Sequence, residues 1–130
     1  RMAAVVAVNA LGDIFDPSTG KKIAGLLTAD GTSFGDSCEE LWKMGRRENL
    51  FTGNTTIGAV FTNGKFNKAQ MNKIASMTRN AYARCINPVG TMADGDSIYA
   101  ASAGDVEADL NVAGTLAAYV MERAIVAAIR

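Results

Sequence analysis

Thr52-Gly53-Asn54-Thr55-Thr56-Ile57-Gly58-Ala59-Val60 decides how this 130-residue chain is read. A polar, glycine-flanked loop runs directly into a β-branched, alternating segment, with two hydroxyls at the junction. Thr55 to Thr62 is therefore predicted to be a strand. A threonine at its start can attack the carbonyl of the residue before it. The Asn54–Thr55 peptide would then pass through an ester to cleavage, leaving Thr55 as a new chain terminus. An N-terminal Thr combines nucleophile and base, because its free α-amine takes the proton of its own hydroxyl. That amine titrates near ~8, so much of it is free base at neutral pH. Read locally, Asn-Thr-Thr is usually just a plain loop entering a strand, and the flanking chain has to separate the two readings.

Upstream, Met2 to Val8 is an unbroken apolar run, too short for a typical helix and suited to a strand buried on both faces. It ends at Asn9, which is either a strand-end residue or a rigidly held amide donor of the kind an oxyanion site requires. Asp16-Pro17-Ser18-Thr19-Gly20 has turn composition. Ile23 to Leu27 is a candidate short strand, Gly31 to Asp36 a loop, and Cys38 to Met44 a brief helical pattern. The polar run Gly45-Arg46-Arg47-Glu48-Asn49 then leads to the junction; long irregular stretches inside a domain usually carry function.

Downstream, Asn63-Gly64 is a tight-turn signal. Asn67 caps a helix with Gln70 in capping-box spacing. Met71, Ile74, Ala75, Thr78, Ala81 and Tyr82 repeat at three and four along it, and it stops before Asn87-Pro88. Asp94-Gly95-Asp96 is a turn and Ser97 to Ala101 another buried strand. Asp105 is expected to cap a last helix over Val106–Ile129, with a small-residue stripe of Leu110, Ala113, Ala117, Val120, Ala124 and Ala127/Ala128. The order β-loop-β-α-β-α makes the chain one α/β domain.

Composition removes several chemistries. The chain has no histidine, so it cannot supply a Ser-His-Asp triad, a Cys-His pair or a His-based zinc site. Thirteen basic and thirteen acidic side chains balance without forming blocks, which argues against a nucleic-acid partner. Cys38 and Cys85 lack metal spacing; reduced thiols are expected, with one disulfide left open. No unbroken apolar run reaches the ~18 residues of a membrane span and no signal-peptide pattern appears, so no membrane partner and a cytoplasmic location are expected. The chain opens with Arg1 and enters a strand almost at once, like a piece of something longer.

Four segments in this order then resemble one family: Val8-Asn9-Ala10-Leu11-Gly12-Asp13, Gly53-Asn54-Thr55-Thr56-Ile57-Gly58, Asn67-Lys68-Ala69-Gln70, and Asp94-Gly95-Asp96-Ser97-Ile98-Tyr99-Ala100. The family is that of L-aminopeptidase/D-amidase/D-esterases, which includes β-peptidyl aminopeptidases and nylon-oligomer hydrolases. The resemblance implies a self-processing N-terminal-nucleophile hydrolase and the C-terminal part of an αββα sandwich. It implies that Asn54–Thr55 is the self-cleavage junction, that Thr55 is the nucleophile, and that Asn9 steadies the oxyanion. Asp94 and Asp96, 39 and 41 residues after Thr55, would orient the α-amine or the substrate ammonium. It further implies a peptide or amino-acid amide substrate, no cofactor or metal, association with the N-terminal half of the same precursor, and a homo-oligomer. One departure stands out: family members often carry His-Thr before the acidic turn, where this chain has Val89-Gly90-Thr91. Two alternatives accompany this reading. Glutamate N-acetyltransferases share the fold and also cleave before Thr, but their junction usually reads Thr-Met-Leu. The other is a non-catalytic fragment or subunit of such a fold.

Overall fold

The computed structural model describes residues 1–45 and 53–129. The polar run from Arg46 to Asn49, and Thr52 of the junction stretch, lie outside the described residues. The main sheet has three strands: β1 (Met2–Ala7), β4 (Ile57–Gly64) and β6 (Ser97–Val106) in the order β1-β4-β6. β1 runs antiparallel to β4, from Met2 opposite Thr62 to Ala7 opposite Ile57. β4 and β6 run parallel from Ile57 beside Ser97. Parallel neighbours need a crossover, and the chain between them supplies it through α2 (Lys68–Cys85). A second, smaller sheet orders β3 (Lys21–Ala24), β2 (Asp13–Asp16) and β5 (Ile86–Asn87). The short helix α1 (Ser37–Met44) and the long α3 (Leu110–Ile129) complete the chain. The arrangement is α/β, as expected.

The core forms where α2 and α3 pack on one face of the main sheet. Ile74, Ala81, Tyr82 and Cys85 of α2 meet Ala117, Met121 and Ile125 of α3 and Val60 of β4, with Ile14 and Ile86 joining from the smaller sheet. The predicted stripe of α2 is the buried one, with Cys85 added and Ala75 half-buried. Its capping box is complete: the Gln70 N–H donates to Asn67 Oδ1 and the Asn67 N–H to Gln70 Oε1, both at 2.9 Å. Gly58 sits where a Cβ would come within 2.7 Å of both Tyr82 Oη and Met121 Cε, so a bare backbone lets both helices close on β4. Both cysteines are free, and burial pushes the Cys85 thiol up to about 12.

Four expectations are corrected. The strands are not buried on both faces: Val5, Ile57, Phe61 and Tyr99, on the face away from the helices, are 60%, 49%, 49% and 65% exposed. Asn63-Gly64 is not a tight turn; both residues lie in β4, opposite a register shift in β6. Asp105 does not cap the last helix, because β6 continues through Val106; Asp109 caps it, accepting from the Asn111 and Val112 amides at 2.8 and 3.0 Å. The buried face of α3 is Ala113, Gly114, Ala117, Ala118, Met121 and Ile125, which leaves Ala127 and Ala128 exposed. By length and composition α3 could cross a bilayer, at mean hydropathy 1.5, a property that counting unbroken apolar residues overlooks.

Asp13 organises the irregular first third. Its carboxylate is buried and accepts from Lys22 Nζ (2.6 Å), Ser37 Oγ (2.7 Å), the Leu26 amide (2.9 Å) and the Ser37 amide (3.0 Å). Burial pushes its pKa up, but the Lys22 ammonium and the Ser37 and Leu26 donors together hold it below the ordinary carboxylate range. The start of α1, the loop after β3 and the chain after Asn9 are thereby tied to one side chain.

Candidate active site

One end of the main sheet collects the chemistry. β1 leaves the sheet at Ala7, two residues before Asn9, while β4 and β6 enter it at Ile57 and Ser97. Residues 54–56 and 94–96 therefore arrive side by side, with Asn9 on the other flank. Main-chain bonds fix the meeting. The Thr55 amide donates to Asn9 O at 2.9 Å, the Gly95 amide to Asn54 O at 3.0 Å, and the Ser97 amide to Thr56 O at 3.0 Å. Asn54 and Asp94 form a parallel bridge. Asn9, Asn54, Thr55, Asp94 and Asp96, separated by up to 87 positions in sequence, are all brought together.

The two threonines differ. Thr56 is fully buried, its amide donating to Asp96 Oδ1 at 2.8 Å. Thr55 is half-buried, and its hydroxyl donates to Asn54 O at 2.7 Å. The Thr55 hydroxyl thus lies against the carbonyl group whose carbon it would attack. A Cβ on Gly95 would stand 2.7 Å from Thr55 Oγ1, inside any tolerable contact, so glycine leaves the hydroxyl its space. Asn9, exposed, donates its Nδ2 to Gly53 O at 2.9 Å.

The acidic residues are held in distinct ways. Asp94 Oδ2 accepts from the Thr91 amide (2.8 Å) and Thr91 Oγ1 (2.9 Å), an arrangement that fixes the turn. Asp96 keeps Oδ2 buried with no hydrogen-bond partner among the described residues. Burial pushes its pKa up, the Thr56 amide opposes this, the Asp94 charge adds to it and Arg79 opposes it; the net shift is upward. Beside it Tyr82 Oη lies 3.2 Å from Ser97 O and 3.4 Å from Thr56 O, bracing the two strand entrances. Asp96, Tyr82, Arg79, Ser76 and Ser97 border a cavity of about 190 Å³. A hollow of about 300 Å³ begins one residue from Asn9, with Ala10, Leu11, Leu26, Leu41, Met44 and Pro88 on its walls. Among the described residues no group of three His, Cys, Asp or Glu side chains could hold a metal.

Sequence reasoning missed the Gly95 amide, Thr91 and Tyr82. Tyr82 stood in the helical stripe as a core residue, and only the tertiary fold shows where its hydroxyl ends. A main-chain N–H has no residue-type signature at all.

The sequence profile of peptidase family S58 matches residues 1–130. An uncharacterized aminopeptidase of Mycobacterium leprae is 32% identical over 108 residues, covering 82% of this chain and 30% of that protein. An uncharacterized aminopeptidase of Mycobacterium tuberculosis is 27% identical over 107 residues, covering 78% of this chain and 31% of its own length. A protein of Agromyces sp., named for its analogy to NylC, is 33% identical over 55 residues, covering 42% of this chain and 18% of that protein. The chain thus spans less than a third of the length of these relatives.

Proposed function

The chain belongs to peptidase family S58, and from that membership we propose that it is the nucleophile-bearing portion of a self-processing N-terminal-threonine aminopeptidase. The observation that carries this reading is the Thr55 hydroxyl, 2.7 Å from the oxygen of its own preceding carbonyl, with Asn9 and the Gly95 amide alongside. Two relatives whose names call them aminopeptidases add support. After the cut, Thr55 Oγ attacks the carbonyl of an N-terminal amino-acid amide, ester or small peptide. Its α-amine takes the hydroxyl proton and later delivers it to the leaving amine. The Asn9 main-chain carbonyl, which already accepts the Thr55 N–H, holds that amine in place. Asn9 Nδ2 steadies the oxyanion, and Asp94 and Asp96 hold an ammonium, either the nucleophile's or the substrate's. The apolar hollow beside Ala10 gives room for a substrate side chain. This chemistry calls for neither cofactor nor metal. The bare face of the main sheet calls for a covering layer, which the N-terminal half of the same precursor supplies as the second sheet of an αββα sandwich.

The test is processing of the full-length precursor. Wild type splits between Asn54 and Thr55, and Thr55→Ala stays whole on intact-mass analysis. A smaller product whose N-terminal sequence begins anywhere but Thr55 overturns the assignment.

A further inference from the structure

Thr55 has to turn two different carbonyls into oxyanions: that of Asn54 when the chain cuts itself, and that of the substrate at each turnover. We propose that the two steps use different donors, the Gly95 main-chain N–H for the first and the Asn9 side-chain amide for the second. The Asn9 amide becomes free for that task only when the Asn54–Thr55 bond has been cut. The inference rests on the reading of Thr55 as the nucleophile.

In the uncut chain the Asn54 oxygen already accepts the Gly95 N–H at 3.0 Å. When Thr55 Oγ bonds to the Asn54 carbonyl carbon, the carbonyl π electrons move onto that same oxygen, so the donor is in place before charge develops. Collapse of the intermediate breaks the C–N bond, and the hydroxyl proton ends on the Thr55 nitrogen, now a primary amine. Water then attacks the ester, giving the Asn54 carboxyl group and restoring the Thr55 hydroxyl. Every atom in the step comes from the chain or from water.

Asn9 is turned elsewhere. Its Nδ2 donates to Gly53 O, the carbonyl one residue too early for the cut, at 2.9 Å. Its main-chain oxygen accepts the Thr55 N–H at 2.9 Å, which anchors the residue beside the nucleophile whatever its side chain does. Cleavage turns Gly53-Asn54 into a free chain end no longer tied to Thr55. Its departure vacates the space of the Asn54 carbonyl and releases Nδ2 together. The contact that occupies Asn9 in the precursor is therefore a lock on turnover that only self-cleavage opens.

The experiment measures two rates in the full-length precursor: appearance of the product beginning at Thr55, and hydrolysis of an alanine p-nitroanilide by the cut form. Replacing Gly95 with its α-hydroxy acid removes the N–H without adding a side chain. It should slow self-cleavage by the ~10²–10³ expected for a lost oxyanion donor. Gly95→Ala keeps the N–H but crowds Thr55 Oγ1, and should also slow the cut. Asn9→Ala should lose ~10²–10³ in turnover and far less in self-cleavage. The proposal is overturned if the hydroxy-acid variant cuts at the wild-type rate. It is equally overturned if Asn9→Ala damages the cut as severely as turnover. Failure of the underlying reading has a different signature, namely cutting by Thr55→Ala.

Discussion

Asp96 holds one carboxylate oxygen on the Thr56 amide and keeps the other buried without a hydrogen-bond partner among the described residues. Burial first, and the Asp94 charge in addition, raise its pKa. A carboxyl whose folded pKa lies above its unfolded value contributes stability that is complete below the unfolded value of ~3.9 and is lost as pH rises through the folded one. At pH 7, well above the unfolded value, the raised pKa therefore costs stability. Asp96→Asn is expected to raise the thermal midpoint at pH 7, with the gain vanishing near pH ~3, as calorimetry across pH will read. The same substitution, like Asp94→Asn, should cut amide turnover at least ~tenfold, because a carboxylate's charge-assisted bond to an ammonium is about twice as strong as a neutral one. Unchanged kinetics in both variants would reduce the turn to a structural feature. Asn9, Thr55, Asp94 and Asp96 were legible as candidates because the segments that carry them resemble the motifs of one family. Gly95 was visible only as a turn glycine. Its role depends on where an anonymous N–H points and on the space its missing Cβ leaves.

At the scale of elements, α2 carries more than its own stability. It spans the gap between β4 and β5, fills the core with Ile74 and Ala81, and sets Tyr82 under the entrances of β4 and β6. Asn67→Ala removes the acceptor of the Gln70 amide and should cost about 1 kcal/mol, read as a lower urea midpoint with unchanged slope. A loss of several kcal/mol would mean that the cap holds more than the first turn. This helix was readable in detail because cap, stripe and stop are all local signals. Asn63-Gly64 and Asp105 were misread for the opposite reason. The Lys65 amide bonds Val106 O, and pairing of β4 with β6 carries both strands past the residues that would otherwise turn or cap. Tertiary partners outweighed local propensity there.

For the whole molecule the informative feature is the sheet face opposite α2 and α3, where Val5, Ile57, Phe61 and Tyr99 stand open. Contiguous apolar surface of this kind marks an interaction face. The prediction is that the 130-residue chain expressed alone stays uncut, does not hydrolyse amino-acid amides, and scatters light as an oligomer or aggregate. A monodisperse monomer that cleaves itself and turns over an amide would contradict it. The sequence made the apolar runs plain but not which of their faces is covered, since a partly buried strand and a fully buried one can share one alphabet of Ala, Val and Ile. The order β1-β4-β6 carries a last consequence. A break between Asn54 and Thr55 parts β1 from β4 in the covalent chain, yet the six residue pairs from Met2–Thr62 to Ala7–Ile57 still join them. Two polypeptides made separately, one ending at Asn54 and one starting at Thr55, carry both edges of that pairing, while the layer over the bare face still has to come from the rest of the precursor. On the proposed reading, such a pair supplied with that layer would start with Thr55 as a free terminus, by fragment complementation instead of autolysis.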